Sequence, residues 1–457
     1  MDLTSTKQPY LQFIGGNATD VTGSCTILRW KRMKYAIDMG MIQTNNMVAD
    51  YKANKELVKR IKPKTIHAVL ITHCHSDHVA NLLTATAQGM QAHIYIPEGS
   101  AKLLRIMLED SAKIMEADAL MMARKHGMKV PPLATLDDVD KVMQRCIEIP
   151  FGERTEITGG AYVTLYHAGH IVFSSQMLIE LVDGYVTKRI GITGDIGYEL
   201  KSKSVPPIES LPFCDVMVGE CTYCDPDRIY SYKKDRWYDE QMIKTAVEQY
   251  NKILIPVFSL QRLEDVLETL KQLDIKKKIY VDAPLGVRIY KAWPEILDYE
   301  ETLGAKMIES WAESQALQAS DTPCIILSSS GMLSAGRAIS HLHSILPNPK
   351  NCVLFCGYSS PNTMATEIKN GERDIKVEGE LVPNRCQIYC LNTFSSHANY
   401  SQLMDYYCNK TRYNKLCLVH SEFEHRVQFA QTLQDKLVEQ GKSSRVIASN
   451  MDTKVTF

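Results

Sequence analysis

His73-Cys74-His75-Ser76-Asp77-His78 follows directly on the largely apolar run Ile66 to Thr72, and the chemistry of the chain begins there. Four potential ligands in six residues stand at a predicted strand end, where a loop can turn them toward one point. Zinc prefers imidazole nitrogen and accepts carboxylate oxygen. The alternation lets His73 and His75 face one metal, while Asp77 and His78 lie past the bend and can face a second. A run of solvated polar residues is the bland alternative. Histidine is scarce, however, 13 in 457 residues, and three fall in this one hexapeptide. A metal site is the expectation.

A dinuclear site needs further ligands from distant segments. His170 follows a predicted strand over Ala161 to Tyr166, Asp195 follows one over Arg189 to Ile192, and His420 follows one over Tyr413 to Val419. Each time an apolar strand delivers a ligand at its carboxyl end. The histidines at 67, 93, 126, 167, 341, 343 and 425 lack that setting. His341 and His343 fall in a helical stretch, where i and i+2 point apart. Two more residues make sense once a metal site is granted. His397, in Ser395-Ser396-His397, and Glu220, after Val218-Gly219, stand where the chain leaves and enters a second unit. A His–carboxylate pair there can act as a general acid, the carboxylate fixing the tautomer and keeping the imidazole charged. Asp38, ending a strand near the N-terminus, reads as support for the ligands. Cys221 and Cys224 form a lone CxxC with no second pair, so a zinc ribbon is not expected and redox chemistry is weakly supported.

Around these residues the first 200 positions read as strands and turns with intervening helices. Leu103, Leu104, Met107, Leu108, Met115, Leu120 and Met121 recur at helical spacing between Ser100 and Lys125, which predicts a helix with a core-packing stripe. From about Asp225 to Asn392, strands such as Ile253 to Phe258 and Lys278 to Val281 alternate with helices such as Gln261 to Leu273 and Leu285 to Trp293. That rhythm predicts an α/β unit with a parallel sheet, inserted into the first. The expected division is 1–222, an insertion over 223–393, and a return over 394–457. Composition is ordinary for a globular protein, 45% hydrophobic and 23% charged, which excludes disorder and collagen-like structure. No stretch reads as a membrane span, and the N-terminus lacks the features of a signal peptide. Thirteen cysteines without regular spacing indicate reduced thiols and a cytoplasmic setting. With 52 basic and 53 acidic side chains, a phosphate-binding surface must be a local patch.

HxHxDH with the later His170, Asp195 and His420 resembles the metallo-β-lactamase superfamily. The chain is further similar to its β-CASP branch, the nucleases that include ribonuclease J and the endonuclease of eukaryotic pre-mRNA 3′-end processing. Val21 to Cys25 resembles the family's opening turn, Glu220 to Tyr223 its first β-CASP motif, Phe394 to Ala398 the second and Leu418 to Glu422 the third. Ser329 to Leu333, Leu346 to Tyr358 and Glu378 to Pro383 resemble further blocks. The resemblance implies an αββα sandwich carrying an inserted α/β β-CASP domain. It assigns His73, His75 and His170 to one zinc, Asp77, His78 and His420 to the other, and Asp195 to both. His397 would protonate the leaving group, oriented by Glu220, and Asp38 would brace the HxHxDH loop. Two places depart from the pattern: Phe173 stands where a small residue, often Gly, is usual, and the Gly-rich loop reads Ser359 to Thr366 without the expected glycines and arginine.

The function these readings imply is a zinc-dependent ribonuclease that hydrolyses single-stranded RNA by a two-metal mechanism, leaving 5′-phosphate and 3′-hydroxyl ends. Two Zn²⁺ per chain are implied, with Mn²⁺ able to substitute. Ser329, Ser330, Gly331 and Arg337 are candidate RNA contacts, because a Ser/Gly turn feeding a helix presents free backbone N–H groups. A small-molecule thioester or lactone hydrolase, a DNA nuclease and a non-catalytic scaffold are the alternatives. The insertion and the motifs at Glu220 and His397 weigh against the first. DNA-processing members usually carry Val where this chain has His420, and scaffolds typically lose metal ligands. Membrane association is not expected. A homo-oligomer is compatible with the sequence, which carries no direct sign of oligomeric state.

Overall fold

The computed structural model describes residues 8–15, 21–44, 46–198, 204–226, 232–293, 303–357, 359 and 363–457. The chain divides into two compact units. Met1–Leu200, Val205–Ile229 and His397–Phe457 form one, and Lys201–Ser204 with Tyr230–Ser396 form the other.

Two seven-stranded sheets build the first unit. One runs in the order Lys454–Thr456, Tyr10–Phe13, Thr26–Trp30, Met33–Ile37, Ala68–Leu70, His93–Pro97, Cys146–Ile149. The other runs Arg445–Ala448, Tyr413–Val419, Cys214–Glu220, Val186–Ile192, Ser175–Asp183, Ala161–His167, Thr155–Ile157. Side-chain alternation shows how they stack. Val216, Val218, Cys417, Val419, Met177 and Ile179 share one buried cluster with Leu28, Tyr35, Ile37, Ala68 and Leu70 of the first sheet. Met217, Leu416, Leu418 and Leu178, one residue out of phase, pack instead with Tyr406, Tyr407, Phe429 and Leu433 from the helical segments that follow 399. A period of two thus splits each strand between a sheet–sheet core and a helix-covered outer face. This is the αββα sandwich expected from the motifs.

The second unit holds a six-stranded, all-parallel sheet in the order Lys306–Met307, Ile279–Asp282, Cys324–Ser328, Lys252–Pro256, Cys352–Phe355, Gln387–Cys390. Ile253, Ile255, Ile325 and Leu327 pack with Leu263, Val266 and Leu270 of helix Arg262–Gln272. Leu254, Ile326 and Val353 pack on the opposite face with Leu342 and Ile345 of helix Arg337–Ile345. Both faces are therefore covered, as parallel strands require.

Helix Ala101–His126 forms where the periodicity placed it, ending at Gly127 in the left-handed conformation. Its apolar stripe is narrower than the sequence suggested. Leu103, Leu104, Met107, Leu108 and Met115 are buried, but Leu120 and Met121 are 61% and 38% exposed. All thirteen cysteines are free thiols, and among the described residues no helix is long and apolar enough to cross a membrane.

Candidate metal centre

Strand register assembles the site. Parallel pairing of Ile192 with Val218, and of Glu220 with Val419, sets the carboxyl ends of three strands side by side, so Asp195, Glu220 and His420 emerge together. In the facing sheet, Ile37 pairs with Leu70, which brings Asp38 beside the Thr72-His73 turn. The turn then enters a short helix, Ser76–Val79, capped by His75, and this is the bend that separates Asp77 and His78 from His73 and His75.

His73 Nε2 lies 3.1 Å from His75 Nδ1, which is 3.3 Å from His170 Nε2. Three ring nitrogens thus converge on one point, and Asp195 Oδ2 approaches at 3.6 Å from His73 Nε2 and 3.7 Å from His170 Nε2. The other oxygen of the same carboxylate, Oδ1, is 3.4 Å from His78 Nε2. Asp77 Oδ2 stands 3.8 Å from His78 Nε2 and 3.4 Å from His420 Nε2. Two donor groups that share no residue stand out, His73/His75/His170/Asp195 and Asp77/His78/His420, each with its ligand atoms within 4.8 Å of one another. Asp195 reaches both.

Protonation at His73, His75, Asp77 and Asp195 suits a cation. Burial, reinforced by His78, holds the His73 imidazole well below its ordinary value, and burial takes His75 down to about 4 against the pull of Asp77 and Asp195. Burial opposes ionisation of Asp195, but His420, His78 and His73 outweigh it and keep the carboxyl well below the usual range. Asp77 is lowered too, burial being outweighed by His78 and His420. Neutral imidazoles beside ionised carboxylates are the states a divalent ion demands. For His78, Asp195, Asp38 and Asp77 overcome the effect of burial and raise the imidazole well above its ordinary value, the response of a ring ringed by anions.

The supports are explicit. Asp38 Oδ2 is 2.8 Å from His78 Nδ1, and Asp38 accepts both the amide and the hydroxyl of Thr72 at 2.8 Å. Asp38 and His420 both hold positive φ, 56° and 63°, strain that surrounding contacts must sustain. Gly194, also at positive φ, brings its backbone so close to Thr72 that a Cβ would meet Thr72 Cβ at 2.8 Å.

His397 lies beside this centre, and with Asp195 and His420 it forms a third group whose ligand atoms lie within 4.8 Å of one another. Its Nδ1 is 2.9 Å from Glu220 Oε1, and its Nε2 is 3.9 Å from Asp195 Oδ2. Glu220 is fixed in turn by the amides of Ile196 and Thr222, each at 2.8 Å. Burial would lower the His397 imidazole, but Glu220 and then Asp195 raise it.

The remaining sequence expectations fall elsewhere. Cys221 and Cys224 are buried, the former bonded to Ser421 and the carbonyl of Val419. Ser329, Ser330, Gly331 and Arg337 belong to the second unit. Part of the N–H cradle expected there is used within the turn: the amides of Ser330, Leu333 and Ala338 bond to carbonyls of Ala335, Ser330 and Ser329, and that of Ser334 to the Ser330 hydroxyl. Arg337 is turned to Asp282 at 2.7 Å and to the carbonyl of Glu309. Phe173 sits at φ 59°, which explains why glycine is common at that place, and its ring lies against Gly99. Of the altered loop 359–366, residues 360–362 lie outside the described residues. Two residues that the sequence reading passed over contribute here: Thr72, already noted, and Thr222, whose hydroxyl reaches His420. Each adjoins a singled-out residue or motif, and that adjacency was the available signal.

A sandwich with paired His/Asp donor groups at one edge defines a metallo-hydrolase. Comparison with known families agrees: residues 47–215 match the metallo-beta-lactamase superfamily, 260–368 the Beta-Casp domain, and 381–445 the Zn-dependent metallo-hydrolase RNA specificity domain. The chain belongs to the β-CASP branch of the metallo-β-lactamase superfamily. It is 28% identical to Ribonuclease TTHA0252 of Thermus thermophilus over 90% of this chain and 92% of that protein. Transcription termination factor FttA of Methanocaldococcus jannaschii is 25% identical over 93% of this chain and 68% of its own length. An RNase J-like protein of the same archaeon is 25% identical over 93% and 95%. Among solved structures, a protein of unknown function from Enterococcus faecalis V583 superposes with a TM-score of 0.55 at 11% identity, covering 98% of this chain and 100% of that one; this likeness concerns the fold alone.

Proposed function

We propose that this chain is a ribonuclease that hydrolyses phosphodiester bonds of single-stranded RNA, holding two Zn²⁺, with Mn²⁺ able to substitute. The observation that carries the reading is the sharing of Asp195 between two donor groups with His397 poised beside them. His73, His75 and His170 would hold one ion, Asp77, His78 and His420 the other, and Asp195 both. Ions held by these residues would supply Lewis-acid polarisation and a water activated near neutral pH. The chain's own part is positioning and proton transfer. Glu220 accepts from His397 Nδ1–H, which keeps the ring charged and leaves Nε2 on the side of the donor groups to give its proton to the departing 3′ oxygen. A 5′-phosphate and a 3′-hydroxyl are the products. RNA as substrate is supported by the ribonuclease names of the relatives and by the family matched at 381–445. Contacts from the Ser329–Gly331 turn would not use the Ser330 amide, which is bonded to the carbonyl of Ala335.

The test is metal analysis together with product mapping on one 5′-labelled single-stranded RNA. Cleavage that requires the bound metal and leaves 3′-hydroxyl ends is the expected result. A stripped protein that cuts RNA at the full rate, or products with 3′-phosphate ends, would refute the reading.

A further inference from the structure

His420 stands at φ 63°, in the left-handed region. Its ring is flanked by partners on both nitrogens. Thr222 Oγ1 lies 2.8 Å from His420 Nδ1, across 198 residues of sequence. The nearby Asp195 Oδ1 is at 3.6 Å from the same nitrogen, too far for a hydrogen bond. The other ring nitrogen, Nε2, faces Asp77 Oδ2 at 3.4 Å. Thr222 is itself anchored, its amide donating to Glu220 Oε2 at 2.8 Å. We propose that Thr222 is a positioning residue: its hydroxyl accepts the Nδ1–H of His420 and thereby fixes the tautomer whose Nε2 lone pair completes the ion site with Asp77 and His78.

A neutral imidazole carries one N–H, so an acceptor at Nδ1 leaves Nε2 as the lone-pair donor. Partners of this kind, one bond removed from the ion, typically set metal affinity by about 10–100-fold. The same Thr222 backbone holds Glu220, the partner of His397, so one residue ties a ligand to the proton donor's support. The inference rests on the reading of His420 as a ligand.

Chelator-stripped full-length protein is titrated with Zn²⁺ against a chromophoric chelator for wild type, Thr222→Val, Thr222→Ser and His420→Ala. Valine keeps the shape and removes the hydroxyl; serine keeps the hydroxyl. The expected result is that His420→Ala abolishes one of two sites. Thr222→Val should weaken that same site about 10–100-fold, leave the other unchanged and keep a cooperative unfolding transition. Thr222→Ser should bind within a few-fold of wild type. Unaltered zinc affinity in Thr222→Val overturns the inference, as does equal weakening of both sites or equal weakening in Thr222→Ser. Retention of both sites by His420→Ala would instead overturn the ligand reading on which it rests.

Discussion

Glu220 Oε1 sits 2.9 Å from His397 Nδ1, with the carboxylate fully buried and the imidazole partly exposed. The carboxylate holds the ring in one tautomer and raises its basicity, while Nε2 faces the donor groups, 3.9 Å from Asp195 Oδ2. If that nitrogen protonates the leaving oxygen, His397→Ala should fold, keep its metal and lose about 10²–10⁴ in cleavage rate. His420→Ala should lose comparable activity together with metal. Single-turnover cleavage alongside metal analysis separates the two. Loss of zinc in His397→Ala would make that residue a ligand.

Asp195 offers one oxygen to each donor group, 3.6 Å from His73 Nε2 and 3.4 Å from His78 Nε2. Asp195→Ala should therefore lower occupancy at both sites, where His170→Ala should affect mainly one. Purified wild type, zinc-replete, should hold about two ions per chain. Plasma mass spectrometry reads this directly, and a wild-type value of one or less removes the dinuclear mechanism.

Much of this centre could be read without coordinates, because its donors obey a local rule. His73, His170, Asp195 and His420 each follow a recognisable apolar strand, and strand ends meet once parallel register is set. What could not be read depends on contacts between remote segments. Nothing near Thr222 shows that a residue 198 positions away will present Nδ1 to its hydroxyl. Arg337 looked free for phosphate, yet Asp282 lies at the end of a neighbouring strand and takes its guanidinium. Leu120 and Met121 continue a helical period that the packing does not use. Periodicity marks which side chains can be buried, and the tertiary fold decides which are.

The reading of RNA as substrate makes its own forecast. DNA-processing members of the branch usually carry Val at the position of His420, so single-stranded RNA should be cut much faster than DNA of the same sequence. Binding should weaken steeply with salt despite the net charge of −1, because local phosphate contacts release counterions. Matched RNA and DNA oligonucleotides in one cleavage assay decide it, and equal or faster turnover of DNA overturns the assignment.

Glu264 connects the second unit to pH. It lies in the first turn of helix Arg262–Gln272, 5% exposed, and among the described residues its Oε2 has no hydrogen-bond partner. Burial pushes its carboxyl up from 4.5 to about 8, with Asp265 adding to the rise and backbone amides opposing it. A folded-state value above the unfolded one means that the native chain holds a proton the unfolded chain has released. The associated stability is complete below the unfolded value of 4.5 and is lost as pH rises through about 8. Each unit of that interval corresponds to about 1.4 kcal/mol, so raising the pH from 6 to 8 should remove roughly 2 kcal/mol from wild type through this group alone. Glu264→Gln keeps the shape and cannot ionise. Its stability relative to wild type should be nearly constant below about pH 4 and should improve steadily from about pH 5 to about 8, levelling off above that, the comparison cancelling the titration of the metal-centre histidines. Denaturant melts of both proteins at several pH values measure the difference. A gap between variant and wild type that does not change with pH would show that Glu264 titrates in the folded chain as it does in the unfolded one.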